Sequence, residues 1–137
     1  MYSMEATIEA SRLEEQVFQY NYSLKKELSR YNFDQNHLVL DAGCGTGVLS
    51  RYLVTEFGIK SVFAFDYSDL RLKQAANFIK SDKERASIQF VQQNISRIDP
   101  EYYNKFDVVI ARYVIEHVEN ATHVVSELKK TLKKTEN

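Results

Sequence analysis

Three glycines and two aspartates form the clearest chemical pattern in the sequence. Gly43, Gly45 and Gly47 make a G-x-G-x-G segment that follows a short apolar run ending in Asp41. Glycine accepts backbone torsions and close approaches that a β-carbon would block, so the segment is typical of a ligand-binding loop. Asp66 ends a second apolar run, and a carboxylate about 20 residues beyond such glycines can accept both hydroxyls of a ribose.

The spacing of these residues argues against a dinucleotide site. The dinucleotide fingerprint is G-x-G-x-x-G, and Val48 stands where its third glycine would fall. Asp41 would place a negative charge near a pyrophosphate and repel it. The pattern therefore favours a ligand with a ribose, a positively charged group and a base, against which Tyr67 could lie. A nicotinamide-dependent dehydrogenase is the alternative that Val48 and Asp41 disfavour. Gly47 is expected to let the loop and the next helix pack against the ligand.

Alternating apolar runs and helical patterns predict the elements that position these residues. The apolar runs are continuous, as in strands that are covered on both faces. Strands that alternate with helices indicate an α/β fold with a mostly parallel sheet, in which ligands bind at the carboxyl ends of the strands. A length of 137 residues suits one such core. The predicted strands cover about residues 37–41, 61–66, 88–91 and 106–111, and the predicted helices about 5–31, 48–57, 69–79 and 118–133.

Three segments in this order resemble a known family. Residues 41–47, 65–68 and 106–118 look like the motifs of a class I S-adenosylmethionine-dependent methyltransferase of the small-molecule type. The resemblance covers about residues 38–132. It implies a Rossmann-like three-layer αβα sandwich and transfer of a methyl group to a small-molecule acceptor by direct displacement. The family sheet has seven strands in the order 3-2-1-4-5-7-6. Because this sequence supplies strands 1 to 4, we expect an incomplete fold, truncated after the fourth strand.

The resemblance also implies roles for single residues toward S-adenosylmethionine and its product, S-adenosylhomocysteine. Asp41 would organise the loop beside the methionine part, and Asp66 would hold the ribose hydroxyls. Tyr67 would lie beside the adenine. Asn94, where the family often has an aspartate, would accept a hydrogen bond from the adenine amino group, and the N–H of Ile95 would meet an adenine nitrogen. The implied cofactor-binding set is Asp41, Gly43, Cys44, Gly45, Asp66, Tyr67, Asn94, Ile95, Ala111 and Arg112.

Three further segments complete the expected cofactor site. Residues 43–45 would approach the cofactor through their backbone, and residues 111–112 would offer a carbonyl to its amino group. Residues 1–34 are predicted to form a helical segment that covers the cofactor, with Gln16 and Tyr22 as candidate lid residues. Residues 35–137 would form the methyltransferase core.

The sequence identifies no catalytic residue and no metal site. Glu116 and His117 stand at or before the start of the last predicted helix, where they more often cap or pack than act as a base. Cys44 is expected to be a small filler residue in the turn, because no base is placed to activate its thiol. His37 and His123 have no partners at ligand spacing.

Composition and charge limit the partners that we expect. The formal net charge is -1, which gives no electrostatic case for nucleic acid or for an anionic membrane. No apolar run approaches the ~20 residues that span a bilayer, no secretory signal begins the sequence, and a single cysteine suits the reducing cytosol. The fourth strand, 107–111, would have an exposed apolar edge, so a homodimer or a partner chain is expected to cover it. The alternative to an active enzyme is a non-catalytic cofactor-binding module, or the N-terminal fragment of a longer methyltransferase.

Overall fold

The computed structural model describes residues 26, 28–111 and 120–134. The chain divides into two units, residues 1–34 and 35–137. In the described part of the first unit, the Tyr31 amide donates to the Leu28 carbonyl at 3.0 Å. Gln16 and Tyr22 lie outside the described residues, so the cofactor lid stays a prediction.

A parallel sheet of four strands lies in the described part of the second unit. Its strands are β1 (Leu38–Ala42), β2 (Ser61–Asp66), β3 (Ile88–Gln92) and β4 (Val108–Ile110). They lie in the order β3-β2-β1-β4, and every neighbouring pair is parallel. The predicted Rossmann-like α/β fold is confirmed. All four carboxyl ends therefore lie at one edge of the sheet, where ligands bind in folds of this class.

Both faces of the sheet carry apolar side chains. The strands are runs of apolar residues, and successive strand residues point to opposite faces. Leu40 and Phe65 lie on the face that packs against Val124 and Leu128 of the last helix. Val39, on the other side of the pleat, is also fully buried. The helices are α1 (Val48–Phe57), α2 (Asp69–Asn77), α3 (Asp82–Ser87) and α4 (Ala121–Thr131), with a short 3₁₀ turn at Pro100–Tyr102. α1, α2 and α3 contact β2 or β3 or each other, and α4 covers the Leu40 side.

The helix ends follow from glycine and serine. α1 begins after Gly47 and stops at Gly58, whose φ of 68° is the left-handed conformation typical of a helix C-terminus. The predicted helix over 69–79 is α2, which ends at Asn77, and a break separates it from a further short helix, α3. Ser68 caps α2 and Ser81 caps α3, each by accepting a backbone N–H through its hydroxyl. Because no proline or glycine marks this break, the sequence pattern missed α3.

Two predicted boundaries near the fourth strand need correction. β4 is shorter than the predicted 106–111, because Phe106 forms only an isolated parallel bridge, with Leu132. α4 ends at Thr131 and not at residue 133. The Thr131 carbonyl accepts the amides of Lys105 and Phe106 at 2.9 Å, and the Lys133 amide donates to the Phe106 carbonyl at 2.8 Å. After Thr131 the chain therefore runs beside the residues that precede β4.

Within the described ranges, no helix has both the length and the apolar character needed to cross a membrane. The same residues contain no group of three or more histidine, cysteine, aspartate or glutamate side chains that could hold a metal ion.

Candidate cofactor-binding site

The glycine loop after β1 is fixed to the end of β2 by its own amides. The N–H groups of Gly43 and Cys44 both donate to the Phe65 carbonyl at 2.8 Å. The Gly45 N–H donates to Asp66 Oδ2 at 2.9 Å. All three glycines of the segment have φ between 55° and 82°, which an L side chain rarely adopts. The loop thus wraps over the carboxyl end of β2 and places Asp66 beside it.

The second and third glycines of the loop face different surroundings. A β-carbon at Gly45 would meet no atom within 4 Å, so this side of the loop faces open space. A β-carbon at Gly47 would lie 3.3 Å from the Phe90 ring and 3.4 Å from the β-carbon of Ala75. Gly47 therefore allows the loop to pack on β3 and α2, and the packing of the loop and helix against a ligand stays a prediction.

Asp66 is a half-buried carboxylate with unused acceptor capacity. Its Oδ1 accepts the Ser68 N–H at 2.9 Å, and its Oδ2 accepts the Gly45 N–H. A carboxylate offers about four lone-pair directions, so this side chain can still accept two hydroxyls. The next side chain, Tyr67, is 73% exposed, and its carbonyl accepts from Gln92 Nε2 at 3.1 Å. The end of β2 therefore presents an acceptor pair beside an exposed aromatic ring.

Asp41 is a buried carboxylate at the end of β1. It is 3% exposed and accepts the Ser50 hydroxyl at 2.6 Å. The pKa of its carboxyl is raised to about 6, chiefly by burial and also by the negative charge of Asp66, while the Ser50 hydrogen bond lowers it. Among the residues that the structure describes, no cationic side chain forms an ion pair with Asp41. The site therefore holds a negative charge that a cationic ligand would stabilise.

Cys44 is buried in the loop with its Sγ 3.7 Å from the Gly45 carbonyl oxygen. Burial raises the pKa of this thiol far above its ordinary value, and the charges of Asp41 and Asp66 raise it further. A thiol that stays protonated is a poor nucleophile. This environment agrees with a packing role for the Cys44 side chain.

The loop after β3 brings Asn94 near Tyr67. Asn94 is exposed, and its Oδ1 accepts the Ser96 N–H at 2.9 Å, while Ile95 is buried in the core. Ala111 is half-buried just after β4, and Arg112 lies outside the described residues. An open surface pocket of about 420 Å³ is lined by Tyr67, Gln92, Gln93, Asn94, Arg97, Ile98, Asp99 and Pro100.

Sequence reasoning missed two polar residues that shape the site. Ser50 is fully buried on α1 and donates to Asp41. Glu127 is buried on α4 and accepts the Ile98 N–H at 3.1 Å, in the loop that follows β3. Helical spacing does place Glu127 on the same face as Val124, and an acid at a core position was the signal that could have identified it.

Comparison with known proteins finds methyltransferases among the curated relatives. Malonyl-[acyl-carrier protein] O-methyltransferase of Halalkalibacterium halodurans is 30% identical over 102 residues, which cover 73% of this chain and 36% of that protein. Ubiquinone biosynthesis O-methyltransferase of Rickettsia bellii is 29% identical over 115 residues, which cover 82% of this chain and 45% of that protein. The chain thus spans less than half the length of these curated relatives.

Solved structures share the fold. A crystal structure of an S-adenosylmethionine-dependent methyltransferase from Aquifex aeolicus matches with a TM-score of 0.76 at 20% sequence identity, covering 91% of this chain and 66% of that one. Residues 39–135 match the family model described as a methyltransferase domain. Because that match runs over more than half of the chain, the protein belongs to the class I S-adenosylmethionine-dependent methyltransferase family.

Proposed function

We propose that this chain binds S-adenosylmethionine at the carboxyl ends of β1 and β2 and serves methyl transfer to a small-molecule acceptor. The observation that carries the proposal is the pair of carboxylates at adjacent strand ends, Asp41 buried and Asp66 half-buried. Asp41 would face the cationic methionine part of the cofactor. Asp66 would accept the two ribose hydroxyls. Family membership supports the same cofactor.

The surroundings of the two carboxylates fit this cofactor. The open side of Gly45 leaves room beside Asp66, and the exposed ring of Tyr67 lies next along the chain. The amides of residues 43–45 are engaged within the protein, so the loop would contact the cofactor through its remaining backbone atoms. Gly43, Cys44, Gly45, Asn94, Ile95, Ala111 and Arg112 complete the proposed binding set.

The chemistry requires little acid–base help from the protein. When bound, the cofactor supplies a methyl group on a positively charged sulfur. The residues of this chain would hold the cofactor in one orientation, exclude water and align it with the acceptor, and such alignment can supply much of a rate enhancement. The two curated relatives are named for reactions on malonyl-[acyl-carrier protein] and in ubiquinone biosynthesis, which supports a small acceptor group.

The proposal is tested by titrating S-adenosylhomocysteine into the protein in a calorimeter. We expect Asp66→Ala to weaken binding by at least about 1 kcal/mol, roughly fivefold, because a charge-assisted hydrogen bond is lost. Asp69→Ala is the matched control, since Asp69 is an exposed carboxylate three residues away that pairs with Lys73. Absence of binding by the wild-type chain would overturn the proposal.

A second candidate is a cofactor-binding module without independent activity, or the N-terminal part of a longer methyltransferase. The short coverage of both curated relatives favours this alternative. A methyl-transfer assay over a panel of small acceptors, run beside the titration, separates the two. Binding with turnover supports the enzyme, and binding without turnover supports the module.

We also propose that this chain associates with another chain. The outer edge of β4 would be covered by a second copy of this chain or by a partner chain, because an apolar edge strand readily pairs with another strand. The acceptor pocket would then draw on residues from both chains.

A further inference from the structure

Glu127 is a buried residue of α4 whose carboxylate accepts a hydrogen bond from another segment of the chain. It is 5% exposed and lies on the face of α4 that also carries Val124 of the apolar core. Its Oε1 accepts the Ile98 N–H at 3.1 Å and the Tyr103 hydroxyl at 3.3 Å. Its Oε2 pairs with Lys130 Nζ at 2.8 Å. The side chain therefore ties the segment after β3 to α4.

His123, one helical turn earlier, makes a second contact to the same segment. Its Nε2 lies 2.7 Å from the Ser96 carbonyl oxygen. Residues i and i+4 of a helix lie on one face, so His123 and Glu127 hold positions 96 and 98 together. α4 thus contacts this turn at two points.

The turn held by α4 carries the residues proposed to meet the adenine. The Ser96 N–H donates to Asn94 Oδ1, and the Arg97 N–H donates to the Asn94 carbonyl, both at 2.9 Å. These bonds close residues 94–97 into one turn, which Ile98 follows directly, and they orient the Asn94 amide. At its other end, the Gln93 N–H donates to the Asp66 carbonyl at 3.1 Å. The turn is therefore held between the end of β2 and α4.

We infer that Glu127, supported by His123, is a positioning residue for the base of the bound cofactor, because it holds the turn that carries Asn94 and Ile95. This inference rests on the proposed function. Removing the Glu127 carboxylate leaves the Ile98 N–H without its partner and frees the turn to move. The orientation of the Asn94 amide would then vary, and recognition of the adenine amino group would weaken.

The test compares two ligands that differ at this amino group and at the ring nitrogen beside it. S-adenosylhomocysteine carries the amino group and an acceptor nitrogen, and S-inosylhomocysteine has an oxygen and a ring N–H in their places. We expect the wild-type chain to prefer the adenine ligand. Glu127→Ala should weaken the binding of S-adenosylhomocysteine about fivefold or more. The ratio of the affinities for the two ligands should then approach one. Glu127→Gln keeps an acceptor oxygen and should restore most of the ratio. Lys130→Ala, which removes the ion pair with Glu127 and the cation–π contact with the Tyr103 ring but leaves the Ile98 hydrogen bond, is the control and should keep the wild-type ratio.

The outcomes separate the inference from the proposed function. No binding of either ligand by the wild-type chain overturns the proposed function. Adenine-ligand binding by the wild type without preference, or a Glu127→Ala variant with the wild-type ratio, overturns the inference alone. If Glu127→Ala does not fold, His123→Ala decides, because His123 is exposed and contacts the same turn. A wild-type ratio in His123→Ala then overturns the inference.

Discussion

At the scale of single residues, burial controls the charge of Asp41, the side chain proposed to face a cationic ligand. Its pKa is raised from 3.8 to about 6 because the folded protein disfavours the charged form. The folding free energy that it contributes therefore becomes less favourable as pH rises from about 4 to about 6. A cationic ligand opposes this effect, because it stabilises the carboxylate. Ligand binding and folding thus depend on the charge of Asp41 in opposite directions.

We predict that the affinity for S-adenosylmethionine falls as pH drops below about 6, approaching tenfold per pH unit, and is level above it. Asp41→Asn should bind more weakly at neutral pH, with no such dependence between pH 5 and 7. Ser50→Ala removes the hydrogen bond that lowers this pKa, so its decline should begin at higher pH. Titrations at a series of pH values measure all three. A wild-type pH profile in Asp41→Asn would contradict the prediction.

At the scale of elements, two glycines of the loop are expected to serve different properties. Gly47 is expected to serve the stability of the fold, and Gly45 the binding of a ligand. Gly45 faces open space, whereas Gly47 faces Phe90 and Ala75 at van der Waals distance or closer. Both have positive φ, so an alanine at either position costs about 1–2 kcal/mol of backbone strain. Only at Gly47 does the added methyl also crowd the core.

We predict opposite rankings for the two alanine variants. Gly47→Ala should lose more free energy of unfolding, because strain and crowding add. Gly45→Ala should lose more affinity for S-adenosylhomocysteine, because its methyl enters the space proposed for the cofactor. Denaturant unfolding and calorimetry on the same samples provide the two rankings. The same order in both measurements would argue against a ligand beside Gly45.

The elements also show what the sequence pattern can predict. Continuous apolar runs determine β1 and β2, and Gly58 determines the end of α1, because these signals are local. The break between α2 and α3 depends on the Ser81 hydroxyl, whose signal is weak in a polar stretch. The roles of Ser50 and Glu127 depend on partners 9 and 29 residues away, which only the fold brings together.

At the scale of the whole molecule, β4 is one of the two edge strands of the described sheet. Val108, Val109 and Ile110 are all half-buried, and no residue in the described ranges pairs along their outer edge. The Lys133 amide meets only Phe106, just before the strand. The paired side of β4 is complete, because β1 lies along it in parallel register.

We predict that the protein associates through this edge. Light scattering at high concentration should give a mass near twice the 16.0 kDa of one chain, or show a stable complex with a partner. Val108→Lys should lower the mass, because a charge on an edge strand opposes further pairing. Val125→Ser, at an exposed apolar position of α4, is the control and should leave the mass unchanged. A wild-type monomer at high concentration would contradict the prediction.

Asp66 joins three loops through its own atoms. Its carboxylate accepts amides from Gly45 and Ser68, and its carbonyl accepts the amide of Gln93. A local opening that frees one of these amides therefore disturbs the residue that holds the other two. We expect these three loops to open as one cooperative unit. The amide hydrogens of Gly45, Ser68 and Gln93 should then exchange with solvent together. A ligand bound at this one carboxylate would slow exchange in all three loops at once.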